Sequence, residues 1–305
     1  MSSLQPLHFE LLPAVPAISL VRRLKESPLF RFASMDELFR IAAISRQVRY
    51  SAGSKVQERG LPADYIQVLV QGRFRVEGDG GSDGEVLAPP AMLGFQEVLK
   101  GAPLHGSATA ETESIALVMP AEDVRTLLAA NIELAQGLFR MLLESADGDD
   151  HHFTRRAASF RYEQRDAPLT TVERVLCLQT VPVLAQATAE ELYEVAAIAR
   201  EVSFSEQESF LAPGTPASIV LLLSGAVELT SPGGSKSNAG AGASLGARET
   251  LAGASFADTV RVIEPGKALL VDREPLFDLL ADRMDLLQGI FSAVFQGQGR
   301  AHVGH

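Results

Sequence analysis

Residues 24–50 and 178–204 align without a gap, and ten of the 27 positions are identical: Leu24/Leu178, Pro28/Pro182, Ala33/Ala187, Glu37/Glu191, Leu38/Leu192, Ala42/Ala196, Ala43/Ala197, Ile44/Ile198, Arg46/Arg200 and Val48/Val202. The correspondence continues through Gly60/Gly214 and Gly72/Gly225. It returns at LGFQEVLKGA (93–102) against LGARETLAGA (245–254), and closes at ELAQGLF (133–139) against DLLQGIF (285–291). A unit of about 125 residues has been duplicated in tandem, and any architecture must be one that such a unit can build twice.

The 305 residues suit two domains, each long enough to bury its own core. We expect an extended arm over 1–16, where Pro6, Pro13 and Pro16 break any helical period, a first domain over 17–147, a polar linker over 148–169, a second domain over 170–297 and a tail over 298–305. Helices are predicted near residue 17, where Val21 and Leu24 share a face, and over 35–45 and 189–199, where Leu38, Ile41, Ala42 and Leu192, Val195, Ala196 recur at helical spacing. Short β-type runs follow at 48–50, 55–57, 66–70, 74–76, 108–110 and 115–118. The second set lies at 202–204, 209–211, 219–223, 226–230, 260–262 and 268–271. Glycines 53, 60, 72, 214 and 225 punctuate them, which argues for a small barrel or jelly roll in each copy. Helices over 121–130 and 133–143, then 274–281 and 285–295, end the copies. The composition of 231–244 (SPGGSKSNAGAGAS) reads as a flexible loop.

A helix, a β-roll with glycines at fixed offsets, a short helical insert after Leu-Gly and two closing helices together resemble the cyclic-nucleotide-binding domain family, in the tandem form found in kinase regulatory subunits. PLF (28–30), the glycine series and LGFQEVLKGAPLHGSATAET (93–112) carry the resemblance, and PVL (182–184) and LGARETLAGASFADTV (245–260) repeat it. It implies a mainly β fold with flanking helices, two tandem β-roll domains. In that family a cassette of the form Phe-Gly-Glu, Ala-Leu-Leu, Pro-Arg-x-Ala-Thr holds the nucleotide. The helix N-terminus faces the phosphate, the Arg neutralises it and the Glu accepts from the ribose. The matching positions here are Gly94, Phe95, Leu104 and Ser107, then Gly246, Ala247, Phe256 and Thr259. The Glu positions hold Phe95 and Ala247, and the Arg positions hold Leu104 and Phe256. The resemblance therefore implies a vestigial pocket, with no cofactor expected; a cyclic nucleotide held in an atypical pocket is the alternative. Glu97 and Glu249 recur two residues beyond the family's Glu. We read them as exposed helix glutamates or local caps, with a ribose contact through a shifted loop as the alternative. Arg248 and Arg261 are the cations that would have to meet an anion from an unusual position in the second copy.

Other motifs are weaker. GAGASLG (240–246) lacks the Lys-Ser/Thr of a phosphate-binding loop and reads as loop plus strand entry. Asp149, Asp150, His151 and His152 are adjacent residues without a third histidine nearby, so no metal site is expected; His302 and His305 lie in the tail. RRAASFRYEQR (155–165) is the basic segment, and Arg155 and Arg156 ahead of Ser159 make that serine a candidate phosphosite, against a charged helix face. No catalytic constellation stands out, and the chain is expected not to be an enzyme. A net charge of −11 and the lack of a helix-turn-helix after the second copy argue against nucleic acid. The longest apolar run, 219–223, is too short for a membrane span. A single cysteine, Cys177, and no secretion signal fit the cytoplasm.

The expected role is regulatory or scaffolding, through a protein partner of unknown identity, with a homodimer among the candidates. Leu287, Ile290, Phe291, Val294 and Phe295 form an apolar stripe wider than one contact needs. Ile290, Phe291 and Phe295 are therefore the candidate partner face.

Overall fold

The computed structural model describes residues 9–77, 84–145, 162, 167–205, 211 and 213–301. The chain divides into two compact units, Met1–Leu138 and Phe139–His305. The division falls inside a helix and not within 148–169.

In unit 1 a short strand β1 (Glu10–Leu11) precedes α1 (Ala17–Lys25), a 3-10 turn (Pro28–Phe30) and α2 (Met35–Ile44). The helices bury Leu20, Val21, Leu24 and Leu38, Ile41, Ala42, the faces that the sequence spacing selects. A capping box starts α2: Ser34 accepts from the Glu37 amide while the Glu37 carboxylate accepts from the Ser34 amide. Then come β2 (Arg46–Tyr50), β3 (Lys55–Gln57), β4 (Tyr65–Gln71), β5 (Phe74–Glu77), β6 (Glu85–Leu87) and β7 (Met92–Leu93), followed by α3 (Phe95–Lys100), β8 (Ser107–Ala110) and β9 (Ser114–Pro120). Helices α4 (Ala121–Ala130) and α5 (Ile132–Ser145) follow. The strands make two sheets, β1-β2-β9-β4-β7 and β3-β8-β5-β6, rather than a closed barrel. Their inward residues, among them Val48, Tyr50, Val56, Leu69, Phe74, Ala110 and Val118, form one core. The buried Tyr50 hydroxyl donates to Gln67 Oε1 at 2.6 Å, so the phenol enters the core without an unsatisfied donor.

Unit 2 repeats the plan. It has α6 (Thr171–Leu178), a 3-10 turn (Pro182–Leu184), α7 (Ala189–Ile198), β10 (Arg200–Phe204), β11 (Ser218–Leu222), β12 (Ala226–Thr230), β13 (Lys236–Gly240) and β14 (Ser244–Leu245). After these come α8 (Ala247–Ala252), β15 (Thr259–Glu264), β16 (Gly266–Asp272), α9 (Arg273–Asp282) and α10 (Met284–Ala301). Capping boxes at Thr170/Glu173 and Thr188/Glu191 begin α6 and α7. The sheets are β10-β16-β11-β14 and β13-β12-β15, again with an apolar interior.

Several expectations change. Residues 10–11 of the extended arm are held on the first sheet: β1 pairs antiparallel with β2, Glu10 opposite Arg49. The loop read over 231–244 contains β13, paired with β12 from Ala226↔Gly240 to Thr230↔Lys236. The tail begins later than 298, because α10 runs to Ala301. The stripe on α10 is core: Leu287, Ile290, Phe291, Val294 and Phe295 are all buried, so Ile290, Phe291 and Phe295 offer no exposed partner face. Its width has a cause within unit 2. Phe291 stacks on Phe139 with ring centroids 4.2 Å apart, and Gly289 sets the helix against Gln186 and Ala187, just beyond the 3-10 turn. Residues 6, 149–152, 155, 156, 159, 209, 210, 302 and 305, named above, lie outside the described residues.

Candidate functional site

Each cassette hangs between two glycines in the left-handed region. Gly94 starts α3 with φ +76°, and Gly246 starts α8 with φ +71°. A Cβ on Gly94 would lie 2.4 Å from the Tyr65 carbonyl oxygen, and one on Gly246 at 2.4 Å from that of Ser218. No side chain fits at either point, whatever the strain of the dihedral. Gly101 and Gly253 close the short helices, and the amides of Ala102 and Ala254 return to the carbonyls of Glu97 and Glu249 at 2.9 and 2.8 Å.

The chain then binds the opposite loop by a matched pair of backbone bonds. In unit 1 the Leu104 amide donates to the Leu61 carbonyl at 2.9 Å and the Gly60 amide to the Leu104 carbonyl at 2.8 Å. In unit 2 the Phe256 amide donates to the Thr215 carbonyl at 2.9 Å and the Gly214 amide to the Phe256 carbonyl at 3.0 Å. Isolated bridges Pro62↔Pro103 and Pro216↔Ser255 flank them. Leu104 and Phe256 therefore occupy equivalent places by backbone geometry as well as by sequence.

Their side chains are spent on packing. Phe256 is 4% exposed and belongs to the unit 2 core with Val220, Leu245, Val260 and Val262. Leu104 is buried at 9% but stands outside the unit 1 sandwich cluster. Phe95 is half-buried and Ala247 fully buried. Ser107 Oγ accepts from the Arg59 amide at 3.1 Å, and Thr259 is exposed at the start of β15, opposite Thr230.

Glu97 overturns its expectation. It is not an exposed helix glutamate but 3% exposed, with its carboxylate hydrogen-bonded to His105 Nδ1. His105 itself is mostly exposed. Beside it, buried Gln57 donates from Nε2 to the Gly106 carbonyl at 3.1 Å, while its Oε1 has no partner. Neither His105 nor Gln57 stands out in the sequence, because the contacts that matter are tertiary. Glu249 is only half-buried, so the two glutamates share a position but not an environment.

The two arginines also go elsewhere. Arg248 donates from Nη2 to the Leu143 carbonyl at 2.8 Å, near the C-terminal end of α5. Arg261 is exposed on β15, on the face opposite the buried Val260 and Val262. Among the described residues no three His, Cys, Asp or Glu side chains gather as metal ligands. Cys177 is buried, and burial, followed by the charges of Glu173 and Glu201, pushes its thiol up to about 11.

Residues 47–131 match the family model described as cyclic nucleotide-binding domain. Unit 1 thus carries the cyclic nucleotide-binding fold. No curated protein matches the chain. Among solved structures, the regulatory domain of Toxoplasma gondii PKA with cAMP aligns at 15% identity over 89% of this chain and 94% of that one, with a TM-score of 0.37. The regulatory subunit of a cAMP-independent protein kinase A from Trypanosoma brucei aligns at 14% identity over 89% and 93%, TM-score 0.36. The N-terminal domain of a transcriptional regulator from Streptomyces coelicolor A3(2) aligns at 22% over 40% and 90%, TM-score 0.36. A cyclic nucleotide is what this fold implies, and the residues present do not fit it: the place of the phosphate-neutralising arginine is held by a buried Leu104 in one cassette and a core Phe256 in the other.

Proposed function

We propose that this chain is a non-enzymatic regulatory or scaffolding protein whose two cyclic-nucleotide-binding-like domains take neither cAMP nor cGMP and act through protein contacts. One observation carries the reading: in both cassettes an apolar, buried side chain stands at the backbone position where the family pattern has its arginine. Removing the charged partner of a desolvated anion costs about 3–5 kcal/mol, which is roughly 200- to 5,000-fold in affinity. Isothermal titration of the full chain with each nucleotide is the test. We expect no saturable heat; a Kd below about 10 μM for either nucleotide overturns the proposal.

A second reading has its own support in unit 1 alone. Buried Glu97, its partner His105 and the unpartnered Oε1 of Gln57 are polar groups kept beside the cassette where apolar ones would pack more cheaply. A carboxylate there disfavours a phosphate and suits an uncharged ligand. Adenosine and guanosine titrated beside the cyclic nucleotides separate the two readings, since a nucleoside needs no arginine.

No helix among the described residues is long and apolar enough to cross a membrane.

A further inference from the structure

Both units expose large apolar side chains at the same place in the repeat. In unit 1, Ile18 on α1 and Phe39 on α2 are 60% and 41% exposed. In unit 2, Val172 on α6 and Tyr193 on α7 are 65% and 56% exposed. Extending the gapless alignment puts Ile18 on Val172 and Phe39 on Tyr193. Exposed Met35 widens the first face and exposed Leu176 the second. The helices of each pair pack on each other and bury their opposite faces, so these residues are not needed for the core. Most aligned positions have drifted since the duplication, but these two solvent-facing ones have stayed apolar in both copies.

The two faces differ in charge. Among their exposed side chains, α1 and α2 carry Arg22, Lys25, Arg40 and Asp36, three basic and one acidic, while α6 and α7 carry Glu190, with Glu194 half-buried beside it. Acidic Asp36 and Glu190 lie exposed one turn before Phe39 and Tyr193 in both copies, so the difference comes from Arg22 and Lys25, exposed at helical spacing from Ile18, which α6 does not match. At one aligned pair the sign is reversed, Arg40 against Glu194. Glu194 and Asp285 share Arg283, which leaves that cluster one net negative charge. The lone cation of α6, Arg174, is turned inward to the Ala199 carbonyl at 2.8 Å.

We propose that the α1–α2 face of one copy docks on the α6–α7 face of a second copy of this chain. Like on like would set the basic face against itself; unlike on unlike joins apolar centres and opposite charges. Such a heterologous contact either closes reciprocally into a dimer or continues as an open chain. Phe39 and Tyr193 are the aromatic anchors. The inference rests on the protein-contact part of the proposed function and names the partner; it is independent of the nucleotide titration.

Light scattering after size exclusion, on the full chain at about 100 μM, is the first measurement. We expect a mass above the 32.6 kDa of the monomer, reduced by about 0.5 M salt. Phe39→Glu and Tyr193→Glu alter exposed positions, and circular dichroism checks that each variant stays folded. Each alone should weaken self-association about 30-fold or more. The mixture decides the geometry: a Phe39→Glu copy keeps its α6–α7 face and a Tyr193→Glu copy its α1–α2 face, so together they should recover a one-to-one complex. A wild-type chain that stays monomeric overturns the proposal, including the case in which another protein covers these faces. So does an association that only one of the two substitutions weakens, or a mixture that fails to recover.

Discussion

Phe256→Ala tests whether the second cassette is closed by its own core. The backbone of Phe256 is fixed on both sides by its bonds to Thr215 and Gly214, so the residue cannot swing out when the ring is removed. The ring is buried among Val220, Leu245, Val260 and Val262, and comes within 3.4 Å of where a Cβ on Gly246 would sit. Truncating a packed phenylalanine costs about 3–5 kcal/mol, because the cavity left behind closes only partly. For a unit of this size each kcal/mol moves the melting temperature by about 2–4 °C, so the unit 2 transition should fall by about 6–20 °C. Scanning calorimetry of the full chain reads it. Leu104→Ala is the internal comparison: Leu104 lies outside the sandwich cluster of unit 1, and its loss should stay below about 2 kcal/mol. Neither variant should gain cAMP binding, since the space opened carries no cation. A Phe256→Ala loss below about 1 kcal/mol would refute the reasoning, because the ring would then line a solvent-filled pocket rather than fill it.

Gly137 and Gly289 sit on α5 and α10 with an added Cβ meeting nothing closer than 3.7 and 3.8 Å. Gly137→Ala and Gly289→Ala should therefore each stabilise by about 0.5–1 kcal/mol in urea titration, and a loss would show that the helices need closer approach. The Arg283 guanidinium beside Asp285 holds its carboxyl down at about 2. The stability this pair adds is present above the ordinary carboxylate value and fades as pH falls from about 4 to about 2. With Asp285 more than half exposed, solvent screens much of it. Asp285→Asn should flatten stability across that window, and an unchanged slope counts against the pair. A fragment 139–305 should melt above a fragment 166–305, because only the first keeps Phe139 on Phe291; equal melting temperatures would make the stack dispensable.

What the sequence made legible follows from where the physical signal is local. Helices α1, α2, α6 and α7 were readable because their buried faces recur at helical spacing in both copies. Strand β12 was readable from its alternation, with Val227 and Leu229 inward. Strand β13 was not. Its residues KSNAG bury only Ala239, so no period marks it, and it is a strand because β12 offers it a partner. The two-residue strands β1, β7 and β14 are too short to show any period. Glu97 failed for a related reason: a glutamate in a short helix reads as exposed, and its burial depends on His105, a contact across the turn that follows. The stripe on α10 is spent within its own unit: Phe291 stacks on Phe139, a contact across sequence that no helical period reveals.

The two positions that the family pattern gives to an arginine are filled in physically different ways. In unit 2 the replacement has become core, so returning a guanidinium to position 256 would bury a charge among Val220, Leu245 and Val260 with no carboxylate in that apolar cluster to meet it. In unit 1 the residue at that place stands outside the sandwich cluster, in a cassette that buries Glu97 and near Gln57, whose Oε1 has no partner. The α8 arginine of the second cassette serves the protein itself: Arg248 caps a carbonyl near the C-terminal end of α5, where a cation is favoured by the helix dipole. A phosphate in that cassette would have to compete with a contact that α5 already holds. On the proposed reading, the packing of Phe256 and the contact of Arg248 make unit 2 the more closed of the two cassettes, and the buried polar groups beside Leu104 make unit 1 the place to test for a ligand first.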